Sequence, residues 1–564
     1  MAESFVTAAC RAGRRWGSLA LLGALLGLGA ALYRGYGLSW DEFTDHNLGN
    51  VTASYVAHRL APAAWLARLP TDARLPWLPT SGIIHGPVVE TPAAVLGQLL
   101  YPRQPRGYYA VRHGFVFLVF AAGVAALYGL GRLRFGCRRW ALLGAALLVL
   151  SPRFAAEAFY NGKDVGFMAL FTVAVLALAW LARRPGAGRA LLAAGATGLA
   201  IGVRLPGVIL PAFGLAWLGW LAWRAGRGPG RWRLLGVAGL YAGATVAAVV
   251  AFWPYLWEHP LLRFRYALGV MSHVPWPGTT LYWGRLVPAP ALPWHYLPVW
   301  IVITTPVPYV LAAAVGACVA GRELWRHRQR WRWAAQLDAL LLLWLLAPLG
   351  AIIALHSVVF DGWRHLYFVY PALVLLAVRG VRALARRWGP GWWGPGLRGP
   401  GRWRRGLAGL ALALVVLEQG RTVWFIAQAY PNQQTYFSCL PNAAAERLFE
   451  RDYWGPSYRY GLEWLLRHDP SPTIAVTGPQ PAIIYVNWLV LKPAQRRRIR
   501  LVDGPGARYY LTAYRWHPQP YADSLGPEVL AYRPGGGIKA LSIFRRDSLR
   551  RPLPPAPIGR APWP

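Results

Sequence analysis

Two adjacent carboxylates, Asp41 and Glu42 in the run GLSWDE, stand just beyond the first apolar segment of the chain. An acid at a membrane exit can take a proton from a hydroxyl or amine acceptor that meets a lipid-borne donor there. Burial near lipid raises its pKa, and a neighbouring cation lowers it. Adjacent residues on a regular helix do not share a face, but at a helix-to-loop break one carboxylate can point into a cleft while the other supports it. Asp41, the first of the two, is the better candidate for a general base, with Glu42 as its catalytic companion. The competing reading is a helix cap or a solubilising pair.

Further groups with chemistry recur at intervals. The segment SPRFAAEAFYNGKD at 151–164 supplies Arg153, Glu157, Tyr160, Asn161, Lys163 and Asp164. Its cations can neutralise a phosphate while Asp164 orients an acceptor, a sugar hydroxyl or a metal. Against this, Asn161 or Asp164 can cap the next helix and Lys163 can snorkel to water. Arg204, in GVRLPG between two apolar segments, is costly there unless it reaches water, phosphate or a carboxylate. The run HSVVFDGWRHLYF adds His356, Asp361, Arg364 and His365. The guanidinium fork of Arg364 suits an anion held near lipid better than a flexible lysine does, and His365 can hydrogen-bond the same phosphate or serve only as an interfacial residue. His85, in HGP, is a candidate for acceptor binding or support.

These groups need elements to hold them at one membrane face. The 564 residues are 55% hydrophobic with 22 acidic and 60 basic side chains, a net charge of +38. Such charge on a soluble protein would suggest nucleic acid, but here it collects in short turns between apolar runs, as at 131–139, 182–189, 224–233, 321–332 and 382–405. Those turns and the N-terminus are expected in the cytoplasm, and nucleic acid is not an expected partner. The expected fold is an all-α polytopic membrane protein of about eleven spans, at 17–33, 112–130, 140–158, 165–181, 188–203, 207–223, 233–253, 298–319, 334–354, 365–380 and 406–427. Residues 1–33 resemble a signal peptide but lack a clear cleavage site, so they read as a retained first helix.

An odd number of spans puts the segment from 428 onward outside, where a small mixed α/β domain is expected from YRYGLEWLLRHDP and TIAVTG. The outer regions expected to hold chemistry are 34–111, with interfacial helices near 46–66 and 88–101, then 151–164, and the aromatic stretch 254–297. Cys10, Cys137, Cys318 and Cys439 imply no disulfide framework and no cysteine metal site.

In the order SWDE, HGPVVE, SPRFAAEAFYNGKD and DGWRHLYFVYP, residues 17–427 resemble the integral-membrane lipid-linked sugar transferases of the glycosyltransferase C superfamily, which include protein O-mannosyltransferases and lipid A aminoarabinose transferases. The resemblance implies a glycosyltransferase C-like architecture in a bacterial cytoplasmic (inner) membrane. It also implies a polyprenyl-phosphate-linked sugar donor, inverting transfer, Asp41 as base and Asp164 as the second-loop carboxylate. Phosphate binding would fall to Lys163, Arg204, Arg364 and His365, with Asp361 among the supporting groups and a glycan, lipid or protein as acceptor. Many relatives carry a double proline after the first-loop histidine, where this chain has His85-Gly86-Pro87. A divalent metal ion could bridge Asp41 or Asp164 to phosphate, but no spacing fits a metal cage, so the metal is left unassigned. The alternative is a polytopic transporter or flippase, which should show related halves or paired broken helices.

Overall fold

The computed structural model describes residues 16–60, 85–272, 276–328, 331–388, 402–503, 506–515, 517–521 and 525–546. Seven described helices are long and apolar enough to cross a membrane: Pro105–Phe135, Asp164–Arg183, Leu205–Arg224, Pro229–Phe252, Val307–Arg326, Trp333–Ala354 and Arg364–Arg386. Helices Arg138–Val149 and Pro152–Tyr160 qualify together as an eighth, bent by 70°. The expected count of eleven is therefore not reached by length and composition among the described residues; Ala20–Leu32 and Ala187–Ile201 are apolar but short.

Two departures from the expected spans have a local cause. Ser151 is extended ahead of Pro152, and Thr305 is extended ahead of Pro306. A residue before proline is driven from the helical region by the ring. The expected span 140–158 is therefore broken, and much of the expected outer turn 151–164 is helix Pro152–Tyr160. The expected span 298–319 becomes Tyr296–Thr304 and Val307–Arg326. The helices expected near 46–66 and 88–101 are Trp40–Leu60 and Glu90–Leu100, while residues 61–84 lie outside the described residues. Cys318 and Cys439 are free thiols, whereas Cys137, contrary to expectation, is disulfide-bonded.

The bundle has a chemical polarity. Asp164, Arg204 and Arg364 stand at the starts of three apolar helices whose far ends carry Arg183, Arg224 and Arg386. At that basic end the buried Asp338 is held by Arg134 and Arg379, and Arg379 also pairs with Glu323 at 2.6 Å. The ions that could do chemistry thus collect at one end of these helices, and Arg183, Arg224 and Arg386 stand at the other.

Helices Val307–Arg326 and Tyr370–Trp388 pack so closely that side chains are excluded at two points. A Cβ on Gly316 would lie 1.8 Å from the Leu376 carbonyl oxygen, and one on Gly380 would lie 1.9 Å from that of Ala312. Small residues allow this backbone approach, which lets dispersion and close packing hold helices that gain little from the hydrophobic effect in lipid.

A mixed five-stranded sheet follows the bundle, in the order β4-β3-β5-β7-β6, where β3 is Ile474–Thr477, β4 Ile499–Leu501, β5 Tyr509–Thr512, β6 Glu528–Tyr532 and β7 Leu541–Arg545. Strand β3 is parallel to β4 and β5, and β7 is antiparallel to β5 and β6. A separate hairpin, β1 Thr279–Tyr282 with β2 Arg285–Pro288, lies in the aromatic stretch. Helix Ser457–His468 buries Leu462 and Leu465 beside Ile474, Leu511 and Ile543, and the same core takes in Leu38, Tyr108 and Tyr109 from the first half of the chain. The linker before Asp41 is clamped by Asn487, which accepts from Leu38 N–H at 2.9 Å and donates to Leu38 C=O at 3.0 Å.

Gly380→Ala is expected to destabilise the bundle by about 1–3 kcal/mol through overpacking. Gly350→Ala, where a Cβ meets nothing within 4 Å, is expected to be neutral or stabilising; melting both variants in detergent checks this.

Candidate active site

The site is built on a helix start. Ser39 N–H donates to Glu42 Oε2 at 2.7 Å, so Glu42 reaches back over the first turn of helix Trp40–Leu60 in the manner of a capping box. Glu42 Oε1 accepts from Arg112 Nη1 at 2.8 Å and lies 2.8 Å from His113 Nε2. Glu42 is thereby consumed by structure, with no exposed surface. Asp41 turns the other way, and Asp45 follows it four residues later on the same helix face.

Arg112, also without exposed surface, anchors the arrangement. It grips Glu90 through two bonds of 2.9 Å, reaches Asp45 at 3.4 Å and donates to the Tyr160 carbonyl at 3.1 Å. A buried ion is tolerated only with such compensation. Arg112 thereby fixes helix Trp40–Leu60, helix Glu90–Leu100 and the turn after Tyr160 against one another.

That turn delivers the next ions. Asn161 Oδ1 accepts from Asp164 N–H at 2.9 Å, capping helix Asp164–Arg183 and placing Lys163 on its rim. Lys163 Nζ bridges Asp41 Oδ2 at 3.1 Å and Asp45 Oδ1 at 3.2 Å. Arg364 Nη1 reaches Asp41 Oδ2 at 3.1 Å and Asp164 Oδ2 at 3.5 Å, while its Nη2 holds Asp361 at 3.1 Å. Arg204 pairs with Asp164 Oδ1 at 2.5 Å. The Arg364 guanidinium lies 5.0 Å from the ring centres of both Phe360 and Trp454.

His85 and His365 complete this cluster. Val88 N–H donates to Gly202 C=O at 3.3 Å, beside Arg204. The approach requires glycine at position 86, because a Cβ there would fall 1.9 Å from that carbonyl oxygen. This accounts for glycine within the HGP run. His85 is close enough to Lys163, Arg204, Asp41 and Arg364 to feel their charges, and His365 feels Arg364, Arg204 and His85.

Among the described residues, Arg204 Nε, Arg364 Nε, His85 Nδ1 and His365 Nδ1 are buried without a hydrogen-bond partner. Arg204 Nε–H and Arg364 Nε–H are buried donors left without acceptors, which is costly, and beside them stand two ring nitrogens that donate in one tautomer, so their gathering favours a ligand rich in acceptor oxygens. Within the acidic set, the side chain of Asp41 is 28% exposed, against 0% for Glu42, 4% for Asp45, 0% for Asp164 and 6% for Asp361. The shortest ionic contacts of Asp41 fall on Oδ2.

Desolvation works to raise the pKa of Asp41, but Lys163, Arg364 and Arg204 overcome it and hold the carboxyl well below the ordinary range. Asp45 goes the other way. Burial, with Glu90 and Asp41 nearby, raises it to about 7 against the pull of Lys163 and Arg112. Burial followed by the charges of Lys163 and Arg204 pushes His85 well down, so it is a neutral hydrogen-bonding group.

Other sequence candidates stand behind this surface. Glu157 accepts from Tyr367 OH at 2.9 Å and from Asn161 at 2.8 Å. Arg153 donates to the Tyr436 carbonyl and lies between the rings of Trp300 and Phe437, apart from the cluster. Tyr160 joins through its carbonyl, its ring being packed against Tyr36 and Trp454. Sequence reasoning missed Asp45, Glu90, Arg112, Trp454 and Arg515. Asp45 had a signal in its spacing from Asp41, and Arg112 in its charge at the head of an apolar run. Among the described residues, no group of three or more His, Cys, Asp or Glu side chains is arranged to hold a metal ion. The carboxylates here are each already bound to guanidinium or ammonium groups.

Neither a family model nor a curated protein matches the sequence. Solved structures similar to the chain include the oligosaccharyltransferase AglB from Archaeoglobus fulgidus, in complex with an inhibitory peptide and a dolichol-phosphate, at 12% identity over 88% of this chain and 70% of that one, with a TM-score of 0.48. ArnT from Cupriavidus metallidurans in the apo state matches at 15% identity over 86% of each chain, TM-score 0.46. ArnT bound to undecaprenyl phosphate matches at 15% identity over 96% of this chain and 100% of that one, TM-score 0.46. At such identities and scores these likenesses say nothing of activity, which must come from the side chains of this chain.

Glu42→Ala, which takes one carboxylate from Arg112 and leaves Glu90 and Asp45 to hold it, is expected to destabilise the protein by about 1–3 kcal/mol, whereas Asp41→Asn leaves the melting temperature near that of the wild type. Asp45 gives a pH signature. With its folded pKa at about 7 and its unfolded pKa at about 4, the folded state holds a proton that the unfolded chain has released. Its stabilising contribution is therefore present below about pH 4 and is lost as the pH rises through about 7. The melting temperature of the wild type relative to Asp45→Asn is expected to fall across that window.

Proposed function

We propose that the chain is a membrane glycosyltransferase that moves a sugar from a polyprenyl-phosphate donor to an acceptor at the extracytoplasmic face, with inversion at the anomeric carbon. One observation carries this reading. Asp41 is the accessible carboxylate of the buried ionic cluster, and it stands beside Lys163, Arg204 and Arg364 with unpaired donors around them. A base next to an oxyanion-accepting surface is what a displacement with an anionic leaving group requires. The extracytoplasmic placement is supported by the bundle's polarity, because arginine-rich ends favour the cytoplasm and the site is at the other end.

In the proposed step, Asp41 takes the proton of the acceptor hydroxyl or amine as that atom forms its bond to the anomeric carbon. The bond from that carbon to the phosphate oxygen breaks, and its electron pair leaves with the phosphate. Arg364, Arg204 and Lys163 receive the charge, with neutral His85 as a hydrogen-bonding partner and His365 beside it. A bound donor phosphate competes for Lys163 and Arg364, loosens their hold on Oδ2 and raises the basicity of Asp41 as the acceptor arrives. The cations already provide the positive charge that a divalent ion would bring.

Labelled sugar supplied on a panel of polyprenyl-phosphate donors to purified enzyme with membrane lipid and protein fractions tests the reading. Product is expected with the wild type, and Asp41→Asn at equal folded abundance is expected to lower kcat by about 100- to 10,000-fold. Wild-type turnover in Asp41→Asn would remove the base. Donor crossing the bilayer with no product formed would make the protein a transporter instead.

A further inference from the structure

We propose that Arg515, which belongs to the C-terminal sheet unit, is a positioning residue that sets Arg364 and Asp41 for the transfer; the inference rests on the glycosyl transfer proposed for this site. Strand β5 ends at Thr512, and the chain then passes through Tyr514 in the left-handed region at φ 62°. That turn carries Arg515 away from its own sheet. Its side chain is 9% exposed, and contacts outside its own segment carry it into the site. Nη2 pairs with Asp361 Oδ1 at 2.8 Å, Nη1 donates to the Tyr453 carbonyl at 2.8 Å, and the guanidinium lies 5.7 Å from the ring centre of Trp40.

Each of these three contacts is one step from the proposed chemistry. Asp361 gives its other oxygen, Oδ2, to Arg364. Tyr453 precedes Trp454, whose ring lies against the Arg364 guanidinium. Trp40 precedes Asp41, and its N–H donates to the Trp454 carbonyl at 3.1 Å. One guanidinium therefore touches the three segments that orient the base and the cation facing the leaving group. Asp361 also sits in the left-handed region at φ 56°, which aspartate tolerates better than most side chains.

The division of Asp361 between two guanidinium groups suggests how Arg515 acts. With Arg515 on Oδ1, Arg364 spends one Nη on Asp361 and keeps the other for Asp41, Asp164 and the leaving phosphate. Without Arg515, the whole charge of Asp361 falls on Arg364 and draws it off the reaction axis. Arg515 itself touches neither donor nor acceptor in this account, so its loss shows in turnover more than in donor binding.

Steady-state transfer with the donor identified for the wild type tests this. Arg515→Ala is expected to lower kcat by about 10- to 100-fold with donor KM changed by no more than about threefold, the scale of a misplaced catalytic group. Arg515→Lys, which keeps the charge but loses the fork, should fall between wild type and alanine. Arg508→Ala, in the same sheet unit and paired with Asp469, should turn over like wild type. Because Arg515 acts through Asp361, the double variant Arg515→Ala/Asp361→Asn is expected to be no slower than the slower single variant. Wild-type kcat in Arg515→Lys or in folded Arg515→Ala would overturn the assignment, as would losses in the two single variants that multiply in the double. Those outcomes leave glycosyl transfer standing, whereas no product from the wild type with any donor would sink the transfer and this role together.

Discussion

A guanidinium with no exposed surface dictates the layout of this end of the molecule. Arg112 has lost its water, and a charge in that position must be repaid by carboxylates in good geometry. Glu42 and Glu90 provide that directly and Asp45 more distantly, while the Tyr160 carbonyl takes a remaining N–H. These partners come from helix Trp40–Leu60, helix Glu90–Leu100 and the turn ahead of Asp164, so satisfying one cation fixes all three. Asp41 is where it is because its neighbour, Glu42, is held by Arg112.

The proposed reactive surface is therefore the outer half of a two-layered ionic assembly. In the inner layer Arg112 is saturated, and its carboxylates have no access to a ligand. In the outer layer Lys163, Arg204 and Arg364 are shared among Asp41, Asp164 and Asp361, and several nitrogens have no partner. Saturation below gives rigidity, and incomplete satisfaction above gives the capacity to bind an anion. Near-neutral pairing also explains how so many ions persist at the edge of an apolar bundle.

The C-terminal sheet unit is built into this assembly. Its apolar core is continuous with Leu38, Tyr108 and Tyr109, and Asn487 pins the Leu38 backbone just ahead of Asp41. Trp454 lies against Arg364, and Arg515 reaches Asp361. Residues more than 400 positions after Asp41 thus close the walls around it.

The membrane character, the basic ends of the apolar helices, and the convergence of Asp41, Lys163, Asp164, Arg204 and Arg364 at one face were all legible in the sequence. Each follows from local rules: apolar length, the cost of a charge in lipid, and charge bias in short turns. The breaks at Pro152 and Pro306 were also written there, in the conformational limit that proline imposes on the residue before it, although a hydropathy window passes over them. Which carboxylate of the Asp41-Glu42 pair faces the cleft was decided only by tertiary structure, because it depends on Arg112 arriving 70 residues later in the chain. The pairing of Arg515 with Asp361, and the ring of Trp454 against Arg364, were decided there too. Neither contact is set by spacing or periodicity; both come from docking a sheet against a helix bundle, a long-range event whose partners no local pattern names.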